Sequence, residues 1–587
     1  MKAVTYKIAL GLLALSICLV SVASAALPAR VDAIINRLTQ EKVQFSVQIV
    51  KADTGRVLYG HNGHEPMIPA SNMKLITTAA ALKFLGPDFD YNTRVALCGD
   101  TLVVIGSGDP LLGDEATDAK HDRKPGWVFD QIAAALKQRR ISQLNDIVVD
   151  TTIFDDVRVH PNWPKKQLNR WYAAEVCGLN YNGNCIRISA KTAAGNAVIS
   201  VEPQTGFLTI SNDVKVITSG TSVIGSYRQP QTNNIVVFGR CNKTAGPFDV
   251  AIEKPALFFG YLLAENLVKA GIKTAGELLE KAVEPHCSPN VIAEFRHSLH
   301  ECLARCNKDS FGLAAESLLK TVAARSTQPG KNGSWARGRQ VVSKYLTDIG
   351  IPPGQFYIDD ASGLSRQNEL SANALVTVLL DVYRSPNWQT FRDSLAAGGQ
   401  DGTIAKYFKQ KKYKGRIRGK TGYISGVKSF SGVCSTGHGE YLFSILANGA
   451  NGKTREAIND IAKAIIDEAQ NVSAEPRKTP IPFSRDTTPS LKKGSYSGTF
   501  HISTGYGTHH SRFFPAHRWK QVNKQIPRHE PQLPLEHQLM TSPAALDLRP
   551  ATKGFCQALR PAIYPGQTLR ARLFKLQFLT AAGAPAR

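Results

Sequence analysis

The sequence predicts an α/β protein with a separate all-β module in its middle. Residues 43–50 alternate in strand fashion, a turn follows, and residues 57–59 return, which indicates an N-terminal hairpin. Residues 177–245 are rich in Val, Ile, Thr, Asn and Gly in short alternating runs, which indicates the small β module. The second half returns to helix and strand patterns and ends in an amphipathic helix at 455–468.

The other elements follow from local periodicity and from residues that end helices. A helix that holds Lys74 follows the hairpin, because apolar residues recur behind it until Gly86-Pro87 ends the pattern. The remaining predicted elements are strands at 101–105, 147–150 and 441–448, and helices at 128–140, 254–267 and, for the most part, 291–320.

The start of the chain predicts export. Lys2 and Lys7 precede a short apolar run at 8–22, and Ala23-Ser24-Ala25 is a small-residue cleavage site, so residues 1–25 are a predicted signal peptide. A membrane anchor is the alternative, but the run is short for a span. The 587 residues exceed one hydrophobic core, so we expect two or three domains in the periplasm or cell envelope.

The charge of the chain is strongly basic. The formal net charge is +24, and residues 471–587 supply half of it with 17 Lys and Arg against 5 Asp and Glu. This proline-rich tail lacks a sustained apolar period, so we expect disorder there. The alternative is a polybasic arm that touches anionic envelope polymers or a membrane surface. Export argues against nucleic acid as the partner.

The ten cysteines become nine after the predicted cleavage, and their pairing cannot be deduced from spacing. Cys302 and Cys306 are four apart on a predicted helix, where a disulfide is geometrically awkward. No Cys/His cluster has convincing zinc spacing, and His509-His510 lies in the tail, so we expect no metal site and no cofactor.

Ser71 and Lys74 form the first candidate catalytic pair. Residues three apart on a helix share a face, so Lys74 can reach and activate Ser71 as a nucleophile. Pro69-Ala70-Ser71 leads from a loop into the helix, whose N-terminal N–H groups favour developing negative charge. The alternative is an ordinary helix cap with a surface lysine.

Lys420-Thr421-Gly422 is a second motif, set in a predicted edge strand. Lys420 offers a positive charge and Thr421 a hydroxyl for a substrate carboxylate, while Gly422 lets a substrate approach the backbone closely. The N–H of Tyr423, paired with that of Ser71, could form an oxyanion hole. An ordinary strand end is the alternative.

Taken together, these motifs resemble the D-alanyl-D-alanine carboxypeptidase/endopeptidase family of class C low-molecular-mass penicillin-binding proteins, peptidase family S13. The resemblance covers roughly residues 30–470, and the order and spacing of its motifs agree with the family. The matching segments are Ser71-Asn72-Met73-Lys74, Gly108-Asp109-Pro110, Asn307-Lys308-Asp309-Ser310 with Ala315-Glu316, Asp360-Ala361-Ser362-Gly363-Leu364-Ser365-Arg366, and Lys420-Thr421-Gly422.

The resemblance implies a β-lactamase/transpeptidase-like domain, an antiparallel sheet flanked by helices, at 27–90 and 285–470. Between its pieces it implies an inserted mixed domain at 91–176 and 246–284, with the β module at 177–245 nested in it. It also implies that Ser71 attacks the bond between two D-alanines of a peptidoglycan peptide and that β-lactams acylate it. Lys74 would act as the base, and Ser310 would pass a proton to the leaving amine.

One position departs from the family pattern. The family's second motif is Ser-x-Asn, and the matching residues here are Ser310-Phe311-Gly312, so the side-chain amide is missing. Asn307 lies a turn earlier, and the sequence does not show whether it compensates. Two other functions therefore stay open, a non-catalytic peptidoglycan-binding protein of the same fold and, third, a β-lactamase. Ser362 to Arg366 is expected to be a structural loop near the cleft, and the adjacent acids Asp359 and Asp360 point apart, which argues against a glycosidase.

Overall fold

A computed structural model describes residues 27–326 and 332–471. The predicted signal peptide, Cys18, and the tail beyond Asn471 with Cys556 and His509-His510 lie outside the described residues. No helix of the described part is long and apolar enough to cross a membrane.

The described residues contain α-helices and strands in alternation. The helices are α1 (Leu27–Ile35), α2 (Met73–Leu85), α3 (Glu115–Asp118), α4 (Trp127–Gln138), α5 (Pro255–Lys269), α6 (Leu299–Lys308), α7 (Gly312–Ser326), α8 (Trp335–Asp348), α9 (Ala372–Tyr383), α10 (Trp388–Ser394) and α11 (Thr454–Asn471). The strands are β1 (Gln44–Lys51), β2 (Val57–His61), β3 (Asp90–Cys98), β4 (Thr101–Ile105), β5 (Gln143–Leu144), β6 (Ile147–Asp150), β7 (Cys185–Ala193), β8 (Asn196–Glu202), β9 (Thr209–Val216), β10 (Val223–Arg228), β11 (Asn234–Cys241), β12 (Thr244–Ala251), β13 (Lys273–Thr274), β14 (Leu278–Glu280), β15 (Asn290–Ser298), β16 (Phe356–Tyr357), β17 (Glu369–Leu370), β18 (Ala396–Ala397), β19 (Ile417–Ile424), β20 (Val427–Thr436) and β21 (Gly439–Asn448).

A six-stranded antiparallel sheet joins the two ends of the described chain. Its strand order is β18-β19-β20-β21-β1-β2, and β1 pairs along its whole length with β21. The predicted N-terminal hairpin and the strand at 441–448 are therefore neighbours, although almost 400 residues separate them. This sheet, flanked by helices on both faces, confirms the predicted fold class.

The two faces of this sheet bury different sets of helices. Ile458 and Ile461 of α11 and Val31 of α1 pack with Phe430 and Phe443 on one face. The opposite face packs against α2, α7, α8 and α9 in a larger core. Burial of these apolar faces is the main stabilisation of such a layered domain.

The inserted region carries its own sheets. A five-stranded mixed sheet has the order β14-β6-β4-β3-β15, and α4 and α5 pack with it in a separate core. Two three-stranded sheets, β10-β11-β9 and β12-β7-β8, occupy 185–251, where the sequence indicated a β module. The exact domain boundaries listed above stay predictions.

One predicted helix is wrong at its start. Residues 290–298 form β15, which pairs antiparallel with β3, and the helical structure begins only at Leu299. Pairing with a distant strand overrides the local apolar pattern there. A disulfide joins Cys98 at the end of β3 to Cys287 just before β15. Cys302 and Cys306 are free and buried, as are Cys177 and Cys185, the other closely spaced pair.

Candidate active site

Ser71 lies in a 3-10 turn, Ala70–Asn72, that leads directly into α2. The turn is held closely from two sides. A Cβ added to Gly363, whose φ is +80°, would lie 1.8 Å from the carbonyl oxygen of Ala70. A Cβ added to Gly422 would lie 3.0 Å from the backbone nitrogen of Ser71. Only glycine at these two positions allows the loop and β19 to approach the turn this closely.

The side-chain amine of Lys74 contacts the Ser71 hydroxyl. Its Nζ lies 3.3 Å from Ser71 Oγ and 2.8 Å from the carbonyl oxygen of Ser362. The side chain is buried, with 2% exposure. Burial lowers the pKa of Lys74, which favours the neutral amine that a general base needs. Neighbouring Glu316 and Asp360 partly oppose this effect, because their negative charges raise the same pKa.

Ser310 and Lys420 form a second contact between a hydroxyl and a lysine amine. Lys420 Nζ donates to Ser310 Oγ at 2.8 Å and to the carbonyl oxygen of Thr421 at 2.8 Å. Ser310 lies between α6 and α7 with a φ of +62°, a left-handed conformation that is uncommon for serine. Burial lowers the pKa of Lys420 well below its ordinary value, and the charge of Lys74 lowers it further.

The rest of the second motif lies along β19. Thr421 Oγ1 donates to Thr403 Oγ1 at 2.9 Å, which fixes the hydroxyl beside Lys420. Arg455 of α11 donates to the carbonyl oxygen of Gly422 at 3.0 Å. That carbonyl belongs to the peptide unit whose N–H is contributed by Tyr423. The side chain of Tyr423 is 70% exposed at the end of the strand.

The structure answers the question about Asn307. Its Nδ2 donates to Thr78 Oγ1 at 3.2 Å and to Ser394 Oγ at 2.9 Å, and the side chain is fully buried. Asn307 therefore ties α6 to α2 and does not replace the missing amide. Gly312 is the first residue of α7, and an added Cβ would lie 3.1 Å from the carbonyl oxygen of Tyr172.

The sequence-predicted site residues thus meet in one place, although they come from three distant segments. Sequence reasoning missed the carbonyl of Ser362 as the partner of Lys74, and it named Glu316 within a matching segment without giving it a role. The motif that contains Ser362 was recognised, but its contact with Lys74 spans 288 residues and leaves no local signal. Among the described residues, no group of three or more His, Cys, Asp or Glu side chains could hold a metal ion.

Comparisons with known proteins show which family this chain resembles. The profile of the D-Ala-D-Ala carboxypeptidase 3 (S13) family matches residues 27–471. A D-alanyl-D-alanine carboxypeptidase of Actinomadura sp. (strain R39) is 28% identical over 456 residues, which cover 73% of this chain and 82% of that protein. The D-alanyl-D-alanine carboxypeptidase DacB of Haemophilus influenzae is 23% identical over 405 residues, 66% of this chain and 81% of that one.

The fold also matches a solved structure. The crystal structure of penicillin binding protein 4 (dacB) from Haemophilus influenzae superposes with a TM-score of 0.63 at 22% identity, covering 75% of this chain and 98% of that one. A match at 22% identity shows a shared fold, and the match to the family profile shows that the chain is related to this family. The chain therefore belongs to the D-Ala-D-Ala carboxypeptidase 3 (S13) family.

Proposed function

We propose that Ser71 is the acylated nucleophile of this protein, a serine-type D-Ala-D-Ala carboxypeptidase and hydrolase by family. The observation that carries the proposal is the contact of the buried Lys74 amine with Ser71 Oγ at 3.3 Å. A lysine with a lowered pKa beside a serine at the start of a helix is an activated nucleophile.

The reaction follows from the positions of the two pairs. Neutral Lys74 takes the Ser71 proton as Oγ forms a bond to the carbonyl carbon of the penultimate D-alanine. The backbone N–H groups of Ser71 and Tyr423 stabilise the oxyanion. Ser310, bonded to Lys420, gives its proton to the leaving amine and takes up the proton that Lys74 removed from Ser71, so both residues end the step neutral and the terminal D-alanine departs. Water then cleaves the acyl-enzyme ester and regenerates the serine.

Lys420 and Thr421 bind the terminal carboxylate of the substrate in this proposal. Lys420 and Thr421 are consecutive residues of β19, where Gly422 keeps the strand free of a side chain. Peptidoglycan peptides and β-lactams are the proposed ligands. The support comes from relatives: one is named penicillin-sensitive carboxypeptidase A, from Dictyostelium discoideum, and the Haemophilus influenzae protein was solved in complex with a β-lactam.

We also propose export through the predicted signal peptide to the periplasm or cell envelope, where peptidoglycan lies. The Cys98–Cys287 disulfide supports this proposal, because such bonds persist in oxidising compartments. The tail at 471–587 is proposed to bind anionic envelope polymers or the membrane surface through its charge.

Intact-mass spectrometry of the mature protein with a β-lactam tests the function. The expected result is a stable adduct that the Ser71→Ala variant lacks, followed by release of D-alanine from a pentapeptide. No adduct on folded protein would favour the peptidoglycan-binding alternative, which the missing amide at Gly312 supports. Drug loss without a lasting adduct would favour a β-lactamase.

A further inference from the structure

Three buried carboxylates behind the nucleophile have no role in the reaction described so far. Glu316 and Asp360 are fully buried, and Asp359 has 1% exposure. Within the described residues, Asp359 pairs with Arg339 at 3.2 Å, whereas Glu316 and Asp360 form no ion pair. Since burial of an unpaired charge is costly, the presence of Glu316 and Asp360 at this place needs a structural or functional reason.

N–H donors surround Glu316. Its Oε2 accepts from the indole Nε1 of Trp335 at 2.7 Å and from the backbone nitrogen of Ala361 at 3.1 Å, and Oε1 accepts from the backbone nitrogen of Ser362 at 2.8 Å. Hydrogen bonds to a charged acceptor are stronger than neutral ones. Glu316 therefore fixes the backbone N–H groups of Ala361 and Ser362 in the loop at residues 360–366.

Asp360 fixes the next residues of the same loop. Its carboxylate accepts from the backbone nitrogens of Gly363 and Ser365, each at 2.7 Å. It also accepts from the indole Nε1 of Trp163 at 2.9 Å. Trp163 lies between β6 and β7 in the chain and is buried in the larger core with Trp335, so a residue almost 200 positions away also holds this loop.

The clamped loop contacts α2 through two consecutive carbonyl groups. The carbonyl oxygen of Ala361 accepts from Thr77 Oγ1 at 2.8 Å, and that of Ser362 accepts from Lys74 Nζ at 2.8 Å. The only other hydrogen bond of the Lys74 amine within the described chain is the one to Ser71 Oγ. The position of the Lys74 amine therefore depends on the Ser362 carbonyl.

We propose that Glu316 is a positioning residue for the general base: it holds the Ser362 carbonyl that directs Lys74 toward Ser71. Trp163 supports the same loop through Asp360. This inference rests on the proposed function, because it assigns Lys74 the role of base.

Charge provides a readout that a purely structural role would not change. The groups that face Lys74 are Cys306 from α6, Glu316 from α7 and Asp360 from the loop, with Lys420 on β19 opposite. The negative charge of Glu316 raises the pKa of Lys74 against the larger effect of burial. Burial raises the pKa of Glu316 itself to about 7, so its charge acts on Lys74 above that pH.

The experiment measures the acylation rate with a fluorescent penicillin against pH for Glu316→Gln, Glu316→Asp and Trp163→Phe. Glutamine keeps the volume but offers one acceptor oxygen, so it cannot accept from all three donors. We expect Glu316→Gln to lower the maximal rate about 10- to 100-fold, because small misplacements of a base have effects of this size. Glu316→Asp should recover part of the loss, and Trp163→Phe should lower the rate about 10-fold.

The controls come from a partly buried contact of a carboxylate with an indole elsewhere in the protein. Trp388 Nε1 donates to Glu440 Oε2 at 3.0 Å, away from Lys74. Glu440→Gln and Trp388→Phe should therefore leave the acylation rate unchanged within about twofold. A folded Glu316→Gln protein with the parental rate would overturn the proposal, as would controls that lose as much rate as the test variants.

A second measurement needs no turnover. The pKa of Lys74 is followed by NMR of 13C-labelled lysine, with Lys74→Met used for assignment. Glu316→Gln should lower this pKa, and an unchanged pKa would contradict the inference. If the parent protein is not acylated at all, the proposed function fails while the Lys74 pKa still decides the role of Glu316.

Discussion

Two serine–lysine pairs line the cleft, and they are built in opposite ways. Ser71 and Lys74 are three residues apart at the start of α2, whereas Ser310 and Lys420 are 110 residues apart and meet through tertiary structure. Their electrostatic surroundings also differ. Glu316 and Asp360 raise the pKa of Lys74, while Lys74 and Arg455 lower the pKa of Lys420 beyond the effect of burial.

This difference indicates which of the two lysines holds a proton more readily. Burial lowers the pKa of both lysines, but nearby carboxylates oppose this effect at Lys74, so Lys420 holds a proton less readily than Lys74. A substrate carboxylate beside Lys420 adds a negative charge there, which favours the charged form of Lys420. Two like charges in one buried site oppose each other, so a proton gained by Lys420 favours loss of the proton from Lys74. Substrate binding would then prepare the base.

The largest expected effect is that of removing the base of the local pair. Lys74→Met should reduce β-lactam acylation on the order of 10³-fold, within the range for loss of a general base. Lys83→Met, on the exposed side of the same helix, is the matched control and should acylate normally. Stopped-flow fluorescence with a labelled penicillin measures both. Equal rates for the two variants would remove Lys74 from the reaction.

The second prediction tests the long-range pair. Ser310→Ala should lower acylation about 100-fold, because the proton path to the leaving group is lost. Ser310→Gly removes the same hydroxyl but suits the φ of +62° better. The two variants should therefore be equally slow, while the glycine variant unfolds at a higher temperature. Restored activity in the glycine variant would mean that backbone strain, rather than the hydroxyl, explains the loss.

The third prediction concerns the substrate's charge. A peptide that ends in D-alanine amide should be cleaved about 10- to 100-fold less efficiently than the free acid, from the loss of a charge-assisted hydrogen bond. If the carboxylate also shifts the proton from Lys74, the rate at saturation falls as well as the affinity. In a plot of rate against pH, the rise on the acid side must then lie at higher pH for the amide, because Lys74 keeps its proton up to a higher pH. Identical pH profiles for the two peptides would show that the protonation of Lys74 does not depend on the substrate carboxylate beside Lys420.

The smallest expected effect is that of removing the hydroxyl of Thr421, which follows Lys420 in β19. Thr421→Val keeps the shape of the side chain and removes one hydrogen bond to the substrate carboxylate, so KM should rise about 10-fold with little change in kcat. Thr403→Val removes only the partner of Thr421 and should raise KM less. A large fall in kcat for Thr421→Val would assign the hydroxyl to the chemical step instead.

Particular residues show how far sequence reasoning reaches here. The Ser71–Lys74 contact could be predicted, because helix geometry alone brings residues three apart together. The strand at Asn290–Ser298 could not be predicted, since its partner β3 lies almost 200 residues earlier. Asn307 was a reasonable candidate for the missing amide by spacing, but packing turns it toward Thr78 and Ser394.

The sequence by itself determined the family and the residues that we propose as nucleophile and base, because these signals are residue types at fixed short spacings. Only the tertiary structure decided that the carbonyl of Ser362 holds Lys74, that Glu316 fixes this carbonyl, and that Trp163 reaches the same loop from a distant segment. Such contacts join backbone groups and side chains across hundreds of residues. Their chemistry depends on distance and burial, and neither of these is written in the local order of residues.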